Sequence, residues 1–243
     1  MIRFEGRYTS WQEAEAKCGG YDAPLILEKV LDATLKVKRG EAVFERDSVL
    51  FDEIQYSWPV TAALLWAAAQ AGGTLDVLDF GGSLGSNFFQ NRKFLAQLPR
   101  VSWTVVEQAR FVQIGRERIG DGKLTFQPDI SSACSQRPPT AILASGVLQY
   151  LSEPLIVLAE LARTQAPVII LDRTPFANDA ASRITIQHVP ATIYAASYPC
   201  WFLDRDELVQ RMTSWNYRLV EAFDALDKLS AEATWQGLIF ARN

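Results

Sequence analysis

The stretch LDVLDFGGSLGS, residues 75–86, decides how the rest of the chain is read. Its first half is an apolar, β-type run that ends on Asp79 and Phe80. Gly81, Gly82 and Gly85 follow at once, and a helix-like segment continues to about residue 98. Strand, glycine-rich turn and helix in that order open an α/β sheet whose ligands sit at the carboxyl ends of the strands. Glycines in such a turn let backbone amides approach a ligand with no Cβ in the way. Taken alone, the loop reads equally as a binding site or as a tight turn. Counted from Gly81, the second and third glycines of a dinucleotide-binding G-x-G-x-x-G fall on Ser83 and Ser86, which speaks against a nicotinamide-dependent oxidoreductase.

Outward from that stretch the rhythm repeats. Apolar runs SWTVVE (102–107), KLTFQ (123–127), TAILAS (140–145) and PVIILD (167–172) alternate with helical patterns around 85–98, 109–119 and 153–164. Near-continuous apolar strands separated by helices imply a parallel sheet covered on both faces. Two further strands, NYRLVEAF (216–223) and TWQGLIFA (234–241), follow a helix capped by Asp204 with Glu207 three residues on. Only about ten residues join these last two strands, so they form a hairpin and one of them runs antiparallel.

The first 70 residues read as helical. Ser10 and Glu13 form a capping-box pair ahead of a helix stopped by Gly19 and Gly20. Pro24 opens a second helix, ended by Gly40, and Pro59 a third, ended by Gly72 and Gly73. The leading segment has too few apolar residues for a core of its own. It is expected to cap the main domain on the side of the loop, giving a helical cap over 1–58 and a sheet domain over 59–243.

Composition narrows the function. The chain has 243 residues, 49% of them apolar, with 24 basic and 28 acidic side chains for a net charge of −4. A net acidic chain with no basic cluster is not expected to bind nucleic acid, which needs a basic face. Three scattered cysteines and one histidine, His188, speak against a disulfide framework and a metal site. The N-terminus lacks the apolar core of a signal peptide, and the longest apolar stretch, Pro59 to Ala69, is half of a membrane span. A cytoplasmic protein is expected.

The spacing from Asp79 through Gly81, Ser83 and Gly85 resembles the first motif of class I S-adenosylmethionine-dependent methyltransferases, D/E-x-G-x-G-x-G, with Ser83 at the middle glycine. The resemblance covers about residues 60–243. It implies a Rossmann-like, seven-stranded, mostly parallel sheet with one antiparallel strand near the C-terminus and helices on both faces. It also implies S-adenosyl-L-methionine as cofactor, with Asp79, Gly81, Gly82, Ser83 and Gly85 in its cradle. Glu107 ends the next strand, 22 residues past Gly85, where a carboxylate accepts both ribose hydroxyls; Gln108 adjoins it. The other reading of Glu107 is a solvated acid at a strand end. Asp129, beside Ile130, contacts the adenine amino group in the family, or is a turn residue after Pro128. Ser145 and Gly146 would border the methionine half. Tyr56 would cover it or pack on Trp58. YTSWQEA near the N-terminus, FERD at 44–47 and VPATIYAASYPCWF are also similar to a narrower group of methyltransferase-like proteins, often encoded with surface-polysaccharide biosynthesis genes.

The resemblance implies a small-molecule or glycan acceptor. A non-catalytic binding or scaffolding protein stays open beside the enzyme. The 173–203 connection is far longer than the usual α/β loop and is expected to hold the acceptor. His188 is the leading base, since imidazole titrates near neutrality. Asp172 is the fallback base, and Arg173 and Tyr194 are expected acceptor contacts.

Overall fold

The computed structural model describes residues 2–19, 23–179, 181–193, 195–227 and 229–243. In chain order the elements are β1 (Arg3–Tyr8), α1 (Trp11–Glu15), α2 (Ala23–Arg39), β2 (Phe44–Arg46), β3 (Val49–Phe51), α3 (Trp58–Gln70), β4 (Thr74–Phe80), α4 (Ser86–Leu95), β5 (Arg100–Val106) and α5 (Ala109–Ile114). They continue as β6 (Leu124–Gln127), α6 (Ile130–Gln136), β7 (Ala141–Ser145), α7 (Pro154–Arg163), β8 (Val168–Ala177), β9 (Arg183–Val189), β10 (Ala196–Phe202), α8 (Arg205–Ser214), β11 (Tyr217–Asp224) and β12 (Ala233–Arg242).

All seven expected strands lie in one sheet, ordered β11-β12-β8-β7-β4-β5-β6. The five from β4 to β8 pair in parallel, and β12 runs antiparallel between β8 and β11. The unbroken apolar character of the central strands has a direct cause. Ala141 and Leu143 of β7, with Val168 and Ile170 of β8, face a core formed with α2 to α5. Their neighbours Ile142, Ala144, Ile169 and Leu171 face a second core formed with α6 to α8. Successive side chains point to opposite faces and both faces are dry, so no polar alternation survives. Each large side chain so buried contributes roughly 1.5–3 kcal/mol.

Two sequence expectations are corrected. The N-terminal segment is not all helix: Arg3–Tyr8 is a strand, and β2 and β3 form a hairpin. The 173–203 segment is not a long loop. β8 continues to Ala177, and the chain returns as β9 and β10, which join β1 in a three-stranded antiparallel sheet of order β1-β9-β10. β-branched residues alternating through RITIQHV drive this. Ile184 and Ile186 share one face, where Ala14 of α1 packs on them. The Ser10 cap of α1 forms as expected, accepting from the Glu13 amide at 3.2 Å. Among the described residues no helix is long and apolar enough to cross a membrane.

Candidate functional site

β4 ends in mid-sheet, with Phe80 paired to Val106 of β5. The turn that follows is left-handed three times over: φ is +69° at Gly81, +55° at Ser83 and +92° at Gly85. The Gly81 N–H donates to the Val106 carbonyl and the Gly85 N–H to the Gly82 carbonyl, each at 2.9 Å. Only glycine fits at position 81, because a Cβ there would run into Val147. Ser83 takes the left-handed backbone at a cost of roughly 1–2 kcal/mol.

Beneath this turn sits Asp79, fully buried. One carboxylate oxygen accepts from Trp103 Nε1 at 2.9 Å, and a Cβ on Gly82 would meet the carboxyl group. Burial pushes the Asp79 carboxyl up to about 7. Its place is under the loop, as support, and it does not line the cavity above. Glu107 follows β5 and accepts from the Gln108 amide at 2.7 Å. Burial raises its carboxyl, against the lowering pull of the Gln108 and Ser83 amides.

The cavity lies at the carboxyl ends of β4 and β7 and beside the middle of β8, where its pairing with β7 stops. Gly81, Gly82 and Ser83 line it with Ser145, Gly146, Asp172 and Arg173, so seven of the expected residues meet there. Asp172 is 5% exposed. Its Oδ2 accepts from Ser145 Oγ at 3.0 Å, while its buried Oδ1 has no hydrogen-bond partner among the described residues. Burial raises its carboxyl; Arg173 and Ser145 only partly oppose that. The remaining wall consists of residues that sequence reasoning missed. Phe44, Arg46 and Asp47 come from the β2–β3 hairpin, and Ser86, Asn87 and Gln90 from the first turns of α4. Glu45 of the same hairpin is 1% exposed and accepts from Ser86 Oγ; burial pushes its carboxyl up to about 7. A signal for the hairpin existed in the Asp-Ser pair between FER and VLF. Asp47 and Ser48 have φ of +52° and +69°, the two-residue turn that suits strand twist.

Arg173 joins this cavity to a second one. Its own φ is +53°. Its guanidinium donates to Asp227 and to Asp47, and Arg46 pairs with Asp227 at 3.2 Å. Burial lifts the Asp227 carboxyl, but the two arginines hold it below the usual carboxylate range. The second cavity, about 200 Å³, shares Arg46, Asp47, Gly146 and Arg173 with the first. Tyr150, Gln187 and Tyr198 supply its polar wall.

Several expected residues stand elsewhere. His188 does not line either cavity. Its strand neighbours Gln187 and Val189 do, and the two-residue period of β9 turns His188 to the opposite face. There its Nε2 lies 3.2 Å from Glu5 Oε2. Tyr56 packs in an aromatic trio, with ring centroids 4.8 Å from Trp58 and 5.2 Å from Phe94, and lines neither cavity. Asp129 is the N-cap of α6, both oxygens engaged by Ser132 at 2.7 and 2.9 Å. Gln108 caps α5, and Ile130 packs on the second core. Gly85 is the N-cap of α4 and lines neither cavity. Tyr194 lies outside the described residues.

The N-terminal domain of EvdMO1, in the presence of SAH and D-fucose, matches with a TM-score of 0.54 at 17% identity, over 92% of this chain and 98% of that one. The glycopeptide N-methyltransferase MtfA, complexed with S-adenosyl-L-methionine, matches with a TM-score of 0.54 at 13% identity, over 75% and 93%. The chain shares their fold. At such identities the likeness is one of fold alone. No protein-family model matches the chain, and no curated protein matches it by sequence.

Proposed function

We propose that the chain is an S-adenosylmethionine-dependent methyltransferase that acts on a small-molecule or glycan acceptor in the cytoplasm. The observation that carries the reading is the first cavity: a left-handed glycine turn at the end of β4 opens directly onto Ser145, Gly146 and Asp172. The residues fit the cofactor. A backbone kept clear of side chains at Gly81 and Gly82 suits close approach of the methionine half. Glu107, at the end of the neighbouring strand, suits the ribose diol. When bound, S-adenosylmethionine supplies a methyl group activated on sulfur. MtfA with its bound cofactor, and the EvdMO1 domain with SAH and a sugar, support the reading by likeness of fold. The glycan option also rests on the similarity to proteins encoded with surface-polysaccharide genes.

The chain's own residues then position the acceptor and handle its proton. Asp172 replaces His188 as the base. It lines the first cavity, its Oδ1 is unpartnered among the described residues, and burial makes it a stronger proton acceptor than an ordinary carboxylate. Ser145 holds the other oxygen, which fixes the carboxylate plane. Arg173 spans both cavities and orients whatever enters between them.

Calorimetric titration with S-adenosylmethionine tests the reading. One equivalent binds to the wild type, and Glu107→Ala weakens binding by about 1–3 kcal/mol, the size of a charge-assisted contact. Unchanged affinity in a folded Glu107→Ala protein would contradict the placement.

A further inference from the structure

We infer that the second cavity is the acceptor pocket and that it selects an uncharged, hydroxyl- or amide-bearing molecule with an apolar face over a phosphorylated or carboxylated one. This deepens the methyltransferase reading and rests on it. The pocket meets the first cavity at Gly146 and Arg173, so an acceptor lodged there reaches the place where Asp172 and Ser145 stand. At about 200 Å³ it lies below the roughly 300–1,000 Å³ of drug-sized sites and suits a single ring or a short chain.

The charge argument decides the class. The described charged residues that line the pocket are two arginines and two aspartates. All four belong to one network: Arg173 bridges Asp47 and Asp227, and Arg46 pairs with Asp227. Arg46 also lies over the Phe51 ring, 5.4 Å from its centroid. An incoming phosphate would compete with carboxylates already seated on the guanidinium groups and would meet their negative charge at close range. A cation would meet the arginines in the same way. The rest of the polar wall is neutral. Gln187 donates to the Tyr198 hydroxyl at 3.2 Å and accepts from the Tyr150 hydroxyl at 3.0 Å, which sets one amide and two hydroxyls along one side. Val49, Phe51, Val189, Ile193 and Leu229 supply apolar surface.

The test uses the full chain with S-adenosylhomocysteine, whose own binding is measured first and reads the cofactor assignment separately. Uncharged methyl glycosides and cyclic amides are then titrated beside the matching sugar 6-phosphates and uronates. At least one uncharged probe binds, about tenfold or more tighter than its charged counterpart. Asp47→Asn is the diagnostic variant, because asparagine tolerates the left-handed backbone of that turn while one carboxylate leaves Arg173. It raises affinity for the phosphates several-fold relative to the uncharged probe, so the preference for the uncharged probe narrows. A phosphate or uronate that binds the wild type more tightly, an unmoved preference in Asp47→Asn, or no binding by any probe to protein loaded with S-adenosylhomocysteine would each overturn the inference.

Discussion

The walls of the two cavities are made of different material. In the first, the floor is one turn that brings Gly81, Gly82 and Ser83 to the cavity, left-handed at Gly81 and Ser83 and seated on buried Asp79, beside the ends of β4 and β7. In the second, side chains from separated segments converge: the residue before β1, the β2–β3 hairpin, the turn after β7, the β9–β10 hairpin and the connection after β11. A backbone-built cradle holds whatever ligand the fold is made for and tolerates little change at a few glycines. A side-chain-built pocket is free to change its lining without disturbing the sheet, and selectivity belongs there. The ionic network of Arg46, Asp47, Arg173 and Asp227 is the seam between the two.

The sharpest way to break this contrast is to put a side chain into the floor. Gly81→Val drives a branched Cβ into Val147 at a left-handed position, and binding of S-adenosylhomocysteine falls below detection. Ser83→Gly relieves backbone strain and keeps binding, which calorimetry on both variants with matched melting curves checks. Next in size, Asp172→Asn lowers turnover about 10²–10⁴-fold while cofactor affinity holds within a few-fold, because proton transfer alone is lost. In the wild type, Asp172 must be ionised to accept a proton, and burial raises its carboxyl. The rate therefore declines on acidification at a higher pH than for an ordinary carboxylate, and a pH–rate profile reads this directly.

The floor also leaves a mark on stability. The Asp79 carboxyl stands at about 7 when folded, against about 3.9 in an unfolded chain. Between those values the folded state holds the extra proton, so stability drops as pH rises through the window and levels off above it, by about 1.4 kcal/mol per pH unit. Asp79→Asn removes that slope, and urea midpoints of the two proteins across about pH 4 to 7 isolate the difference. The smallest effect is at His188. It faces away from both cavities, beside exposed Glu5, so His188→Gln changes turnover less than about twofold in a steady-state assay.

The contrast also explains what could be read from the chain. The floor is local: strand, glycines and helix are contiguous, and Gly81, Gly82 and Ser83 were all legible, as were the seven strands of the main sheet. The second pocket is not local. The RITIQHV alternation was available as a strand signal, yet nothing in it says that the partner is Arg3–Tyr8, some 180 residues earlier. One strand position decides whether a side chain enters the pocket, and that register put Gln187 inside and His188 outside. In the sequence, FERD at 44–47 offers only a likeness. Its work is tertiary: Phe44, Arg46 and Asp47 line the first cavity, and Glu45 anchors Ser86.

The central claim is that the main-chain floor is a cradle for S-adenosylmethionine and not for a dinucleotide. Titrating the purified full chain separately with S-adenosylhomocysteine and with NAD⁺ in a calorimeter tests it most directly. The account predicts saturable binding of one equivalent of S-adenosylhomocysteine, abolished by Gly81→Val, and no heat with NAD⁺. Saturable binding of NAD⁺, or a folded wild-type protein that does not take up S-adenosylhomocysteine, would contradict it.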